Sequence, residues 1–243
     1  MRIITNHCIF AFCVVLLACQ PLLSGCASVS VEQQKEAEYY YKVGLTYLNE
    51  DKFQMAFVQF QKALQLDPDN KRAMNSLGLV YYQLEDYEKA RDLFIRAVYL
   101  DPNFSDAYTN MGITYMKTGQ WREALEAFKK ALSNLLYQNP ERAFYNRGVC
   151  YYRAGQYELA VNEFKDAIRR APSYTMPYYG LALAYNKAGK YGDASAVVAR
   201  AIEIDPAYHG DRAKFLEDMK QKLMSVRGEE EADFRDYMDI MRY

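Results

Sequence analysis

Along most of the chain from Ala37 onward, apolar residues recur three and four positions apart, a spacing that places them on one face of an α-helix. Short polar segments interrupt this pattern, and they are rich in the Gly, Asp and Glu residues that favour turns. The interruptions have the sequences NEDKF, LEDYE, TGQWR, AGQYE and AGKYG. The pattern therefore predicts an all-α protein made of amphipathic helices joined by short turns.

Small, aromatic and proline residues recur at a fixed interval. Gly44, Gly78 and Gly112 are each 34 residues apart, whereas Gly148 follows Gly112 by 36 and Ala182 follows Gly148 by 34. This pattern resembles the tetratricopeptide repeat (TPR) in five consecutive copies covering 37–208. The copies are 37–70, 71–104, 105–140, 141–174 and 175–208. The resemblance implies a right-handed superhelix of five helix-turn-helix repeats.

The segment after the repeats predicts a cap and a tail. One helix pair cannot bury its apolar face alone, so the end of such a stack needs a cap. Residues 209–226 have the spacing of a last helix, with Phe215, Met219 and Leu223 facing inward, and we predict a C-terminal capping helix there. Residues 227–243 are acidic at their start and amphipathic afterwards. For this tail we expect a loosely attached helix or a flexible end rather than a docking motif.

The N-terminal segment differs from everything after it. The sequence CIFAFCVVLLA is apolar for eleven residues, which is too short to span a membrane and typical of a signal peptide. The sequence LSGC follows, ends at Cys26 and resembles the bacterial lipobox. This resemblance implies that residues 1–25 are a lipoprotein signal peptide, that Cys26 becomes an acylated N-terminus, and that residues 26–36 form a tether. An uncleaved anchor or a coincidental cysteine is the alternative.

The lipobox resemblance also implies a location. Three acyl chains on Cys26 would hold the protein firmly on a membrane, because each buried methylene contributes about 0.8 kcal/mol. Ala27 stands next, where enterobacterial lipoproteins that stay at the inner membrane carry Asp. The resemblance therefore implies a lipid-anchored protein on the periplasmic face of the outer membrane.

Charge and residue content argue against several classes of function. The chain has 30 Lys and Arg against 31 Asp and Glu, so we expect no nucleic-acid partner. After Cys26 the sequence holds one histidine, His209, one cysteine, Cys150, and no glycine-rich phosphate loop or metal-ligand spacing. Cys150 lies in the apolar sequence GVCYY, which favours a buried structural thiol. The sequence predicts a protein that is not an enzyme and has no cofactor or metal.

Stacked helix pairs of this kind form a concave groove that is lined by the first helix of each repeat and commonly holds a peptide. The repeat pattern predicts the following groove residues: Tyr41, Leu45, Leu48, Asn75, Leu79, Tyr82, Thr109, Ile113, Met116, Lys117, Tyr145, Val149, Tyr152, Arg153, Tyr179, Leu183, Asn186 and Lys187. The Leu, Ile and Val residues are equally consistent with packing between helices. For Tyr82, Tyr145, Tyr152 and Tyr179 we favour a ligand surface, because Tyr combines a broad rigid contact with one hydroxyl group. The two-cation-and-asparagine clamp with which some TPR domains hold a terminal carboxylate is not assembled.

The lengthened connector between the third and fourth repeats carries a second resemblance. Its sequence LLYQNPERAFYNRG is similar to a segment of type IV pilus pilotins (the PilF, PilW and Tgl group), in which a Tyr and PER precede a repeat helix at the same spacing. Here these residues are Tyr137, Pro140, Glu141 and Arg142. We expect Pro140 to start the next helix and Glu141 to lie in its first turn, where the helix dipole favours a negative charge.

The pilotin resemblance implies a function and a partner. It implies a protein that binds a secretin subunit, carries it to the outer membrane and allows the secretin ring to assemble. An amphipathic secretin segment would then lie in the groove of the first three repeats, where the lining is least charged. The main alternative is another lipid-anchored TPR adaptor, of the kind that organises peptidoglycan enzymes or envelope proteases. We expect a monomer.

Overall fold

The computed structural model describes residues 29–243, so the predicted signal peptide and Cys26 lie outside the described residues. Residues 29–243 form twelve α-helices and no strand, which confirms the all-α fold class. The helices are α1 (Val31–Asn49), α2 (Phe53–Leu66), α3 (Lys71–Gln83), α4 (Tyr87–Leu100), α5 (Ser105–Lys117), α6 (Trp121–Ser133), α7 (Glu141–Arg153), α8 (Tyr157–Arg170), α9 (Met176–Lys187), α10 (Tyr191–Ile204), α11 (Arg212–Ser225) and α12 (Glu229–Ile240). None of these helices combines the length and the apolar character that a membrane span requires.

Helices α1 to α10 form five consecutive pairs, which we call units one to five, and each unit packs against the next. Within each of the first four units a glycine of the first helix lies against a phenylalanine of the second. The pairs are Gly44–Phe60, Gly78–Phe94, Gly112–Phe128 and Gly148–Phe164. A methyl group added at Gly78 would lie 2.6 Å from the Phe94 ring, so no larger residue fits there without displacement. In unit five Ala182 replaces the glycine and the smaller Val198 replaces the phenylalanine, and both are fully buried.

Helix α1 begins at Val31, inside the segment that we predicted to be a tether. Ser30 Oγ accepts a hydrogen bond from Gln33 N (3.2 Å), and Gln33 Oε1 accepts one from Ser30 N (3.0 Å). This reciprocal pair is a capping box, which satisfies two backbone N–H groups that have no partner within the helix. The capping box therefore starts the helix earlier than the repeat pattern alone indicated.

The turn inside each unit holds one residue with a left-handed backbone conformation. These equivalent residues are Asp51 (φ 54°), Glu85 (φ 61°), Gly119 (φ 73°), Gly155 (φ 72°) and Gly189 (φ 74°). This conformation costs a residue with a Cβ atom roughly 1–2 kcal/mol, whereas Gly adopts it readily. Units one and two therefore carry a backbone strain that units three to five avoid.

Replacing Glu85 with Gly is expected to raise the free energy of unfolding by about 1 kcal/mol, because it relieves this strain at an exposed position. Gly119→Ala is expected to lower it by a similar amount. A methyl group at Gly119 would meet no atom within 4 Å, so the backbone conformation alone accounts for the cost. Chemical denaturation followed by circular dichroism measures both changes. Equal stabilities of both variants and the wild type would contradict the argument.

Polar side chains hold the lengthened connector between α6 and α7 against unit three. Asn134 Nδ2 donates hydrogen bonds to the backbone oxygen of Asn103 (3.0 Å) and to Ser105 Oγ (3.1 Å). The Tyr137 hydroxyl is hydrogen-bonded to Thr109 Oγ1, with the two oxygens 3.1 Å apart. These hydrogen bonds fix the connector to unit three, so it is an integral part of the fold.

The connector leads into α7 with Glu141 in the first turn, as expected, but the helix begins one residue after Pro140. Pro140 is the residue before the first turn of α7, and Glu141 is the first residue of that turn. Helices α6 and α7 pack less extensively than the corresponding helices of the other units. The added residues therefore distinguish the boundary between units three and four from the other unit boundaries.

Helices α11 and α12 fold back over the last two units. The predicted inward residues Phe215 and Met219 of α11 are buried, and Leu223 is half-buried. The expectation of a loose or flexible tail was wrong, because residues 229–240 form α12, and Ile240 at its end is fully buried. The reason is a set of contacts with residues far earlier in the chain, which the local sequence pattern does not contain.

Candidate protein-binding groove

The first helices of the units line the inner face of the stack. In the described part of the chain, α1, α3, α5, α7 and α9 contact one another in succession, whereas the second helices of successive units do not. A stack whose first helices lie closer together than its second helices curves toward the first helices. We call the resulting surface the concave groove, and it is the surface to which the predicted ligand residues were assigned.

The groove of units one to three keeps much of its predicted lining accessible. Seven predicted residues are half-buried and Lys117 is exposed. The half-buried residues are Tyr41, Leu45, Leu48, Leu79, Tyr82, Ile113 and Met116. Tyr82 packs edge-on against Tyr87 with 5.5 Å between ring centroids, and burial raises the pKa of its hydroxyl. Helices α11 and α12 do not contact α1, α3 or α5, so this part of the groove is free of the C-terminal segment.

Two predicted groove residues are used between units instead. Asn75 is buried, and its Oδ1 atom accepts a hydrogen bond from Nδ2 of the buried Asn110 (2.9 Å), which joins units two and three. Thr109 is only 1% exposed, and its hydroxyl is engaged by Tyr137 of the connector. Asn75 and Thr109 therefore stabilise the stack and do not belong to the accessible lining.

The groove of units four and five is covered by α11 and α12. A cavity of about 410 Å³ lies between the groove and these helices. Its floor includes six predicted residues: Tyr145, Val149, Tyr152, Arg153, Tyr179 and Leu183. Its opposite wall includes Phe215 and Met219 of α11 together with Asp233, Phe234 and Tyr237 of α12.

Ion pairs join α12 to the groove. Arg153 Nη1 donates to Asp233 Oδ1 (3.1 Å), and the Tyr152 hydroxyl donates to the same oxygen (2.9 Å). Arg153 Nε lies 3.3 Å from Glu229 Oε2, and Lys187 Nζ lies 2.6 Å from Asp236 Oδ2. Burial alone would lower the pKa of Arg153, but the hydrogen bond and negative charge of Asp233 outweigh this effect and raise it. In this part of the groove, Arg153 thus pairs with two carboxylates of α12 and Lys187 with a third.

Aromatic rings fill much of the space beneath the two helices. Tyr179 stacks on Phe215 with ring centroids 5.8 Å apart, and Tyr237 meets Tyr179 edge-on at 5.9 Å. Tyr179 also donates a hydrogen bond to Asp205 Oδ2 (2.9 Å). Burial, with the charge of Asp233 and the neighbouring tyrosines, raises the pKa of Tyr237 well above its ordinary value. Tyr179, for which we favoured a ligand surface, here contacts the chain's own C-terminal segment.

Cys150 and the acidic residues do not form a reactive centre. Cys150 is buried, and burial raises the pKa of its thiol to about 12. The thiol is therefore protonated at neutral pH and unsuited to nucleophilic attack. In residues 29–243 no three His, Cys, Asp or Glu side chains come close enough together to hold a metal ion.

Residues of α12 occupy the groove, although the repeat pattern did not assign them to it. Asp233, Asp236, Tyr237 and Ile240 are three, one and three positions apart, which places them on one helical face. This acidic and apolar face is complementary to a groove whose later part carries Arg153 and other cations. The charge complementarity was the one signal in the sequence that pointed to this docking.

Sequence models of the tetratricopeptide repeat match most of the repeated part of the chain. One model matches residues 44–85 and 78–119, and a second matches 109–175 and 151–209. Together these matches run without a gap from 44 to 209. No curated protein sequence matches the chain significantly.

Solved structures share the fold. PilW, a widely conserved type IV pilus biogenesis factor, is 22% identical over 83% of this chain and 98% of its own, with a TM-score of 0.66. PilF of Pseudomonas aeruginosa is 18% identical over 86% and 99%, with a TM-score of 0.67. YrrB, a TPR protein with an unusual peptide-binding site, is 24% identical over 78% and 95%, with a TM-score of 0.56. At these identities the similarity shows a common architecture.

Proposed function

The chain belongs to the tetratricopeptide repeat family, and from this premise we propose that it is a pilotin of a type IV pilus system. In this role it binds a secretin subunit, carries it to the outer membrane and assists its assembly into a ring. Helix-stack proteins of this kind bind peptides and proteins through a concave surface. The proposal assigns one partner to that surface.

The lengthened connector is the observation that carries the proposal. Its sequence resembles the corresponding segment of pilotins, and its resemblance includes Tyr137 and Pro140. Both residues have a structural role, since Tyr137 is hydrogen-bonded to Thr109 and Pro140 precedes the first turn of α7. A generic five-repeat stack needs no such insertion, so the connector favours this group among TPR proteins.

The architecture supports the same assignment. PilW, a type IV pilus biogenesis factor, and PilF are both covered almost completely by this chain. The shared fold over nearly the whole length of both proteins supports the proposal.

Membrane attachment is the second part of the proposal. The sequence LSGC, which follows the apolar segment after four intervening residues, supports acylation of Cys26. Three acyl chains would make release from the membrane negligible, whereas a single chain gives only marginal and reversible binding. The acyl chains would then determine the membrane location, and the groove would bind the secretin subunit that is carried there.

We place the secretin segment in the groove of units one to three. Its accessible lining is apolar and aromatic, with Leu45, Leu79, Tyr82 and Ile113 half-buried, and no C-terminal helix covers it. An amphipathic helix binds such a surface through apolar residues three and four positions apart. The interaction would use the half-buried ring of Tyr82 as a rigid contact.

Deleting the gene in its host is expected to abolish SDS-resistant secretin multimers and pilus-dependent motility, because unassembled subunits no longer reach the outer membrane. Wild-type protein should restore both. Cys26→Ser should restore neither fully and should appear in the soluble fraction, because it lacks the acyl chains. Immunoblots of unboiled envelopes and fractionation at high salt measure these outcomes.

Cys150→Ala is the matched control, because it removes the other cysteine after the signal segment and leaves the anchor intact. It should remain in the membrane fraction. Retention of the Cys26→Ser protein at high salt would contradict acylation. Intact multimers and motility in the deletion strain, together with disturbed wall remodelling, would instead support the adaptor of peptidoglycan enzymes or proteases.

A further inference from the structure

Helix α12 occupies the concave groove of units four and five in the way that a bound peptide would. We propose that this part of the groove is a second peptide site, that α12 is its intramolecular ligand, and that a partner's acidic amphipathic helix takes the place of α12. The inference rests on the groove's being a peptide-binding surface, as the proposed function requires. It does not depend on the secretin.

The contacts of α12 follow the pattern of a helix lying in a groove. Asp233, Asp236, Tyr237 and Ile240 share one face of the helix, and each is half-buried or buried against the repeats. Recognition of an amphipathic helix by a groove uses anchor residues at this three-and-four spacing. Asp239, on the outward side, pairs within residues 29–243 only with the exposed Arg242 near the end of the chain. The face of α12 that meets the groove is thus the one that a ligand helix would present.

Charge complementarity fixes the kind of helix that fits. Arg153 holds Asp233 and Glu229, and Lys187 holds Asp236. Arg153, Asp233 and Asp236 are mostly shielded from solvent, so their pairing is screened little by salt. A partner helix therefore needs two carboxylates three positions apart, followed directly by an aromatic residue at the position of Tyr237.

The fit of α12 is incomplete, which distinguishes it from a simple structural cap. A pocket of about 410 Å³ that is open to solvent remains between the groove and the two C-terminal helices, so α12 does not fill the whole groove. Asp236 Oδ2 of α12 is buried and has no partner with hydrogen-bond geometry in residues 29–243, although Lys187 Nζ lies 2.6 Å away. A helix with bulkier apolar residues, or with a carboxylate better aligned with Lys187, would fit the groove better than α12 does.

The connection to α12 allows it to leave without unfolding α11. Helix α11 ends at Ser225, and α12 starts at Glu229 after a short non-helical linker. Gly228 in this linker has φ 70° and ψ −132°, a conformation open essentially to Gly alone. Phe215 of α11 also stacks on Tyr179 of α9 and meets Tyr208 edge-on, and neither of these contacts involves α12. The linker is therefore the point at which α12 can separate from the rest.

The test uses a fluorescent peptide of residues 227–243 added to the purified full-length protein. Wild type should bind it weakly, because the attached α12 is present at a high effective concentration. The Asp233→Asn/Asp236→Asn protein keeps its shape but loses both ion pairs, so it should bind the peptide at least tenfold more tightly. Adding Arg153→Met/Lys187→Met to that protein should remove this gain. Fluorescence anisotropy measures the affinities.

Asp239→Asn is the matched control, because it removes a carboxylate from the outward side of the same helix, and it should bind like the wild type. The proposal is overturned if the Asp233→Asn/Asp236→Asn protein remains helical by circular dichroism and binds the peptide no better than wild type. A wild-type dimer that the peptide dissociates would also overturn it, since the occupant would then be a second copy. The peptide-binding assay contains no secretin. A failure of this proposal can therefore be distinguished from a failure of the proposed pilotin function, which the secretin-multimer assay tests.

Discussion

Replacing Phe164 with Ala is expected to lower the free energy of unfolding by about 4 kcal/mol, because it opens a large cavity in the stack. Phe164 is 1% exposed and lies between two glycines of successive units. A methyl group added at Gly148 of α7 or at Gly180 of α9 would come within 2.7 Å of its ring. Both helices therefore pack closely against the ring. Its removal therefore weakens unit four and the contact between units four and five.

Chemical denaturation of full-length protein, followed by circular dichroism, measures this loss. Leu159→Ala is the matched control, because Leu159 lies on the same helix and is 47% exposed. This control should change the stability by less than about 0.5 kcal/mol. A loss for Phe164→Ala no larger than the control's would show that the repeats do not depend on this ring.

Removing Arg147 alone is expected to cost about 3 kcal/mol, because it leaves the Glu163 carboxylate without its partner in a mostly buried site. Arg147 Nε and Nη2 each donate to Glu163 at 2.8 Å, and this bidentate pair joins α7 to α8. The pKa of Glu163 is raised by burial even with Arg147 in place. Arg147→Met should raise this pKa further, because the opposing positive charge is gone.

The loss of stability caused by Arg147→Met is expected to depend on pH. A carboxyl group whose pKa is raised by folding contributes stability that is present below its unfolded pKa and is lost as the pH rises through the folded pKa. Arg147→Met should therefore lose less stability at about pH 5 than at about pH 8. Arg147→Met/Glu163→Gln should recover most of the loss at neutral pH. Equal losses for the single and double variants would contradict the argument.

The repeats were predictable because their packing is local and periodic. Gly78 meets Phe94 within one unit, and the same contact recurs at the same sequence separation in three other units. Even the exception follows from volume, since Ala182 is paired with the smaller Val198. Local packing of this kind leaves a regular pattern in the sequence, so the fold could be predicted from it.

The docking of α12 could not be predicted in the same way. Arg153 and Asp233 are hydrogen-bonded partners although they lie 80 residues apart. The acidic and apolar face of residues 229–240 was visible in the sequence, but such a face can meet solvent or a partner as readily as a groove. Nor did the repeat pattern indicate that Asn75 bonds to unit three or that Thr109 bonds to the connector, because both stand at positions where other units carry Tyr.

The capping box at Ser30 has a consequence for where binding begins. Only residues 27–29 separate Cys26 from Ser30, and a fully extended chain across that interval reaches roughly 14 Å. If Cys26 is acylated as proposed, the first helix pair stands next to the lipid headgroups with little freedom to move away. A secretin subunit at the bilayer surface would then meet the uncovered groove of units one to three first. It would reach the groove of units four and five, which α12 occupies, last.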